Sequence, residues 1–336
     1  MKKQISAEIV ADSINAKGDR ITTMIFTLPR IVLAELNTHR ALAKNSASSR
    51  AIPFAKMRDM VLNDPFIPIA WQKDHKGMQG TEYFTDEHVK NIPGNPWHYE
   101  GDTTIVNQLK VEWLEARNQA VIQSEALDSL NLTKQLCNRM LEPYMWHTVI
   151  ITGTDWENFF ALRAHSQAEI HIAKLAEEAL AAMNQSTPKS LKEGEWHVPF
   201  GDTFDDKRLL DPTSYGYNDQ NTFDGIPSGW YIEGGEEEYH KKLESLKIKV
   251  ATARCARISY NNFEGKDDYE ADIKLHDVLL TSGHMSPFEH IAQCSLTVGR
   301  SGNFSGWIQY RKMIPNESQT DSRLIKKEYG ENMDKS

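Results

Sequence analysis

Apolar and β-branched residues dominate two segments near the N-terminus, Ala7-Glu8-Ile9-Val10-Ala11 and Ile21-Thr22-Thr23-Met24-Ile25-Phe26-Thr27-Leu28. Both read as strands, with Lys17-Gly18-Asp19 as the turn between them. Pro29 ends the second strand, and the run Ile31-Val32-Leu33-Ala34-Glu35-Leu36 predicts a helix over residues 30–38. A Met- and Arg-bearing helix is predicted after Pro53. Residues 64–104 are rich in Pro, Gly, Trp and His, include Lys76-Gly77-Met78-Gln79-Gly80, and have little periodicity; they read as an ordered insertion over the core.

Helical spacing returns over about residues 104–142, where Ile105, Leu109, Val111, Leu114, Val121, Leu127 and Leu136 are set for a buried face until Pro143. Met145 to Thr152 is an apolar, β-branched run. Thr154-Asp155-Trp156-Glu157 has the capping-box pattern and predicts one long helix from about Asp155 to Met183. On such a helix Arg163, Gln167, His171 and Lys174 share a face, either solvated or one wall of a polar site. Leu162, Ile172, Ala179 and Leu180 fall opposite and are expected in the core. Residues 184–247 read as a second irregular insertion. Within it, Glu195-Trp196-His197-Val198-Pro199-Phe200 is expected beside the first insertion, and Glu236-Glu237-Glu238 reads as a solvated face. A last helix is predicted at about 267–281.

Composition narrows the function class. The 336 residues are 40% hydrophobic and 25% charged, with no apolar run near membrane-spanning length, as in a soluble globular protein. Met1-Lys2-Lys3 leads into no apolar signal region. Cys137, Cys255 and Cys294 are far apart and odd in number, which fits neither a disulfide framework nor a CxxC metal site. These features point to a reducing cytoplasm. A formal charge of −9 argues against binding a nucleic-acid backbone, while leaving room for a local basic pocket that takes a free nucleotide. No GxGxxG strand–turn–helix unit is present, which disfavours a Rossmann site.

Residues 38–50, Thr38-His39-Arg40-Ala41-Leu42-Ala43-Lys44-Asn45-Ser46-Ala47-Ser48-Ser49-Arg50, gather arginine, histidine and hydroxyl donors with no acid. Guanidinium forks and clustered hydroxyls suit a phosphate, although composition alone also fits a polar loop after a helix. The spacing resembles the signature of the flavin-dependent thymidylate synthases (the ThyX family): His-Arg, seven residues, Ser, one residue, Arg. Where that family usually has Arg before the His this chain has Thr38, and where it has Asn-Glu this chain has Asn45-Ser46. The form is closer to the long, phage-type members. Asn158-Phe159-Phe160-Ala161-Leu162-Arg163 and Gln167-Ala168-Glu169-Ile170 resemble a second family block, with about two residues fewer between Arg and Gln. Arg139, in Asn138-Arg139-Met140-Leu141-Glu142-Pro143, resembles a third arginine element, and an exposed helix-end arginine is the plain alternative. Ala253-Arg254-Cys255-Ala256-Arg257-Ile258-Ser259-Tyr260 and Gly283-His284-Met285-Ser286-Pro287-Phe288-Glu289-His290 resemble the C-terminal blocks. The matches cover roughly residues 5–53, 137–180 and 250–318.

The resemblance implies one α+β catalytic domain over residues 1–336, with an antiparallel-leaning sheet against long helices and insertions at about 64–104 and 184–247. It implies reductive methylation of dUMP to dTMP, with reduced FAD giving hydride, methylenetetrahydrofolate giving carbon, and NADPH as reductant. By position, Ser48, Ser49, Arg50 and Arg139 would hold the nucleotide and Arg163 would contact its pyrimidine and stabilise charge during catalysis. His39, Arg40, Asn45, Asn158, His284, Ser286 and Glu289 would hold FAD. His284 and His290 are six apart, poor spacing for two metal ligands on one helical face, so no metal is expected. Tyr310-Arg311, four residues, Asn316-Glu317 repeats the spacing of His39-Arg40 and Asn45-Ser46 and suggests an internal pseudo-repeat. Relatives are homotetramers with shared sites; the repeat leaves a dimer or monomer open. A pyrimidine nucleotide C5-hydroxymethylase of the same family, and a nucleotide-binding homologue without catalysis, remain alternatives.

Overall fold

The computed structural model describes residues 2–77, 80–88, 103–210, 222–223, 226–227, 235–260, 268–315 and 317–318. The two N-terminal strands run longer than the segments read from the sequence. β1 (Ser6–Asn15) and β2 (Arg20–Pro29) pair antiparallel, with a register shift between Ile9 and Ala11. After Pro29 a single 3-10 turn leads into the short α1 (Leu33–Asn37). β3 (Ala43–Ser46) follows, and α2 (Phe54–Asn63) starts directly after Pro53.

The expected helix over 104–142 is two helices. α3 (Ile105–Ser129) ends at Asn131, whose φ of 60° is the left-handed conformation that closes helices. The N–H groups of Asn131 and Leu132 satisfy the Asp128 and Leu127 carbonyls there. Thr133 then caps α4 (Lys134–Arg139), accepting from Gln135 N. The buried face also differs from the apolar spacing: Gln108, Val121 and Ser124 are inside, whereas Val111 and Leu136 are 53% and 48% exposed.

β4 (Trp146–Gly153) is apolar at consecutive positions because both of its faces are covered. It lies between β2 and β3 in the sheet β3-β4-β2-β1-β5, antiparallel except where β1 meets the edge strand β5 (Lys189–Leu191). On one face Met24, Phe26, Leu28, Val149 and Ile151 pack against Trp156, Phe159, Ile172 and Leu175. On the other, Ile25 and Ile150 meet Cys255 and Ile258.

The predicted helix over 155–183 is also divided, into α5 (Trp156–Arg163) and α6 (Ile170–Gln185). Thr154 does not cap it; its hydroxyl accepts from Ser305 N. Between the helices the His165 ring accepts from Gln167 N and its carbonyl from Ala168 N. Glu169 then caps α6 through the N–H groups of His171 and Ile172. The polar row is therefore dispersed. Gln167 sits in an exposed turn, Lys174 pairs with Glu178, and buried His171 accepts from Ile69 N. Leu162 is 56% exposed rather than core.

The insertions hold more regular structure than their composition suggests. Phe66 is fully buried beside Trp113, Trp146 and His171, and a bridge joins Gln72 to Tyr83. Met78 and Gln79 lie outside the described residues. In the second insertion, β6 (Trp196–His197) precedes α7 (Asp206–Leu209), β7 (Thr222–Phe223) and β8 (Ile226–Pro227). Trp196 packs on Tyr310, near Ile248 and Ile291, instead of on the first insertion. The acid run begins α8 (Gly235–Arg257), where exposed Glu237 pairs with Lys241. α9 (Tyr269–Thr281) lies where the sequence places a helix, and its buried Asp272 joins Arg254 and Arg257 of α8.

β9 (Ala292–Cys294) forms a three-stranded sheet with β6 and β12 (Trp307–Gln309), after the small hairpin of β10 (Arg300–Ser301) and β11 (Phe304–Ser305). A buried polar chain ties this sheet to the first: Ser13 Oγ, His197, Thr23 Oγ1, Thr152 Oγ1 and His290 Nδ1, at 2.7–2.9 Å per link. All three cysteines are free and buried. Among the described residues no helix is long and apolar enough to cross a membrane.

Candidate active site

β3 and the turn after it carry four of the residues singled out in the sequence, Asn45, Ser48, Ser49 and Arg50. Their placement follows from the strand's position at the sheet edge, where side-chain and loop contacts replace a second neighbour. Asn45 Nδ2 donates to Cys255 O at 2.7 Å, and its Oδ1 accepts from Ser259 Oγ at 3.2 Å. Ser286, in the 3-10 turn Ser286–Glu289, donates to Lys44 O at 3.3 Å. Ser48 N donates to Ser259 O, and Asn138 Nδ2 holds the Ser49 and Ile52 carbonyls. The Ser48-Ser49-Arg50 turn is thus fixed from α4 on one side and from the end of α8 on the other.

These contacts frame a cavity of about 540 Å³. Its wall includes Asn45, Ser48, Ser49, Arg50, Arg139 and Ser286, joined by Arg30, Lys44 and Glu142. The structure thereby brings together the four residues other than Arg163 expected at the nucleotide, and two of those expected at the flavin. Arg50 and Arg139 are exposed, and among the described residues neither guanidinium has a hydrogen-bond or ion-pair partner. Four cationic side chains therefore face one carboxylate, that of Glu142. Such a surface suits a small dianion with several acceptor oxygens.

Arg30, Lys44 and Glu142 were not singled out in the sequence. Arg30 follows the strand-ending Pro29 and is held by Glu142 Oε1 at 3.4 Å and His147 Nε2 at 3.3 Å. Burial, then the nearby Arg30 charge, lowers His147 to about 3, so its ring is neutral and accepts. Lys44 donates to the carbonyls of His39 and Leu42. Burial lowers its ammonium to about 8, opposed by the charge of Glu289.

A second group lies beyond Lys44. Arg163, the last residue of α5, donates from Nε to His39 Nε2 at 2.9 Å and from Nη2 to Thr38 Oγ1 at 3.2 Å. The buried His39 ring meets Phe159 edge-on at 5.0 Å. Burial, then the charges of Arg163 and Lys44, lowers His39 to about 4. Because Nε2 accepts from the guanidinium, the ring proton is assigned to Nδ1. Lys44 links the two groups, since its ammonium holds the His39 carbonyl while its strand lines the cavity.

The remaining flavin candidates are distributed. Arg40, Asn158 and His284 are exposed, with His284 Nδ1 held by Ser282 Oγ at 2.8 Å. Glu289 pairs with Arg311, which also pairs with Glu317. Tyr310-Arg311 thus touches the expected flavin set, through a 3-10 turn after a strand. The local structure differs from that of His39-Arg40, which follows a helix. Asn316 lies outside the described residues. As chemistry, amide, guanidinium, imidazole and hydroxyl donors fit a dinucleotide with a pyrophosphate and a polar ring edge. Within one chain they do not all line a single cavity.

No family model matches the chain. Over 93 residues, 26% of the chain, it is 36% identical to a flavin-dependent thymidylate synthase of Pseudothermotoga lettingae, and the match spans 38% of that protein's length. Two structures of a UMP/dUMP methylase, PolB, from Streptomyces cacaoi are also similar, one bound with 5-Br dUMP and one with 5-Br UMP. Their TM-scores are 0.38 and 0.39, at 15% and 16% identity, covering 55% of this chain in both cases and 91% and 90% of theirs.

Proposed function

We propose that this chain is a flavin-dependent thymidylate synthase that methylates dUMP reductively, with methylenetetrahydrofolate as carbon donor and NADPH as reductant. The observation that carries the reading is the cavity lined by Ser48, Ser49, Arg50 and Arg139, where two exposed guanidinium groups have no partner among the described residues and stand at a fixed serine turn. A nucleoside monophosphate supplies the dianion such a surface lacks. Phosphate binding here contributes mainly orientation, because it holds the pyrimidine at a set reach from the turn.

Uracil C5 attacks a one-carbon electrophile only as negative charge moves onto the ring, so the protein must favour that charge. Arg163 has the chemistry and the rigid mounting for it, on the last turn of α5 with Nε and Nη2 already directed by His39 and Thr38. A cysteine nucleophile is a poor alternative, since Cys137, Cys255 and Cys294 are buried and burial raises each thiol above its ordinary value. FAD, when bound, would supply hydride. His39, Arg40, Asn45, Asn158, His284, Ser286 and Glu289 would hold it, and a second copy of the chain would complete the set where one chain spreads it over separate faces. Light scattering that returned only a monomer in active protein would contradict this last point.

Arg50→Ala and Arg139→Ala are each expected to weaken dUMP binding about 10-fold or more, the worth of one charge-assisted hydrogen bond. Equilibrium titration checks it; unchanged affinity in Arg50→Ala sinks the phosphate role. The reaction itself is tested by incubating protein, FAD, NADPH, methylenetetrahydrofolate and dUMP and identifying the nucleotide by mass. Thymidylate is the expected product. A 5-hydroxymethyl nucleotide would assign the chain to the hydroxymethylating alternative, and unreacted dUMP that remains bound would assign it to a binding protein.

A further inference from the structure

Glu142 is the one carboxylate on the wall of the cationic cavity, and its position resembles that of a ligand. Oε1 accepts from Ser49 Oγ at 2.6 Å and from Arg30 Nη2 at 3.4 Å. Both partners are held from behind. Ser49 is buried, with its carbonyl fixed by Asn138, while Arg30 is braced by His147. The carboxylate itself is mostly buried, its side chain 23% exposed, so its charge is only partly screened. One hydroxyl and one guanidinium are the donors that a phosphate oxygen would take at this turn.

We propose that Glu142 is an internal occupant of the anion site, a specificity-determining carboxylate that an incoming phosphate must displace from Ser49. The inference rests on the nucleotide-phosphate reading of the cavity. Two anionic oxygens cannot share the Ser49 hydroxyl, which donates a single hydrogen. Two negative groups a few ångströms apart also repel, more strongly near a protein surface than in bulk water. A ligand therefore enters only if it gains more than the carboxylate loses. A phosphate dianion does so, because Arg50 and Arg139 stand exposed beside the turn and are not engaged by Glu142. A monoanion, or the uncharged hydroxyl of a nucleoside, gains too little to displace Glu142. The carboxylate thus sets a charge threshold: it weakens every ligand, and weakens the poorly charged ones to exclusion.

Affinities of the full-length wild type, Glu142→Gln and Arg50→Ala for dUMP and for deoxyuridine, by calorimetry at low salt, test the proposal. Glutamine keeps the shape and an acceptor for Ser49 but removes the charge. Glu142→Gln is expected to bind dUMP about 10-fold tighter, with no gain for deoxyuridine, while Arg50→Ala binds dUMP more weakly. A loss of stability alone would not confine the gain to the phosphorylated ligand. Unchanged or weaker dUMP binding by Glu142→Gln, with Arg50→Ala still impaired, overturns the proposal and leaves the phosphate reading standing. An equal gain for deoxyuridine overturns it as well. If dUMP binds none of the three proteins, or Arg50→Ala binds as wild type, the phosphate reading fails and this inference with it.

Discussion

Arg163→Ala is expected to lower turnover by about 100- to 1000-fold while leaving flavin content and dUMP affinity nearly unchanged. The magnitude is that of removing one preorganised donor aimed at charge that develops only in the transition state. The separation of effects follows from geometry. Arg163 is not part of the wall formed by Arg50, Arg139 and Ser48, so the phosphate keeps its donors. Arg163→Lys restores the charge but not the planar fork that reaches His39 and Thr38 together, and little activity is expected to return. The variant carries a second signature. Burial comes first among the causes that hold His39 at about 4, and the Arg163 charge comes next. Removing the guanidinium should therefore raise the pH at which the His39 ring titrates, as read by NMR. An inactive Arg163→Ala protein that had also lost its flavin would count against the assignment.

Acid is expected to begin destabilising the protein well above the carboxylate range. His147, His197 and His290 stay neutral in the fold down to about 3, and His39 down to about 4, each with burial as the first cause. For His290 the neighbouring His197 adds to the effect. In the unfolded chain all four protonate near the ordinary histidine value of about 6.5. The unfolded state therefore binds more protons as pH falls from about 6.5 toward 4, and stability drops over that window. Each ring contributes at most about 1.4 kcal/mol per pH unit, so four approach roughly 5 kcal/mol per unit. A domain stable by only about 5–15 kcal/mol is exhausted within about two or three units of such a slope. The urea midpoint should change little between about pH 7 and 8 and fall steeply from 6.5 to 4.5. A midpoint constant across that lower window would mean that these rings are not buried neutral.

Strands β1 and β2 were legible because apolar, β-branched segments stand on either side of a Lys17-Gly18-Asp19 turn, and the apolar run from Met145 to Thr152 marks the strand covered on both faces. The divided helices were not legible. Nothing between Arg163 and Ile170 is a helix breaker; the break comes from the His165 ring competing for Gln167 N and from Glu169 acting as a cap. Such local bonds depend on side-chain orientation, which spacing does not report. The second break had a weak signal in the Asn131-Leu132-Thr133 sequence, a left-handed closer followed by an N-cap, overridden by the apolar positions on either side.

The candidate site divides the same way. Ser48, Ser49, Arg50 and Arg139 lie far apart in sequence, in two motifs, and meet at one cavity. Arg30, Lys44 and Glu142 are on the same wall, but Arg30 precedes the first motif, Lys44 stands between motif positions, and Glu142 departs from the residue the resembled family usually has before the proline, so motif spacing assigns them no role. Glu142 had one available cue, an acid directly before Pro143 and three residues after Arg139. His197 and His290 are legible only in the fold, because their partners Ser13, Thr23 and Thr152 come from three different strands.

The account depends most on the claim that the cavity at the Ser48–Arg50 turn binds a nucleotide through its phosphate. Calorimetry of the wild-type protein with dUMP and with deoxyuridine, repeated at low and at high salt, tests it directly. The expected result is saturable dUMP binding that weakens as salt rises, with deoxyuridine bound far more weakly and insensitive to salt. Equal affinity for the two ligands, or dUMP binding that salt leaves unchanged, would contradict it.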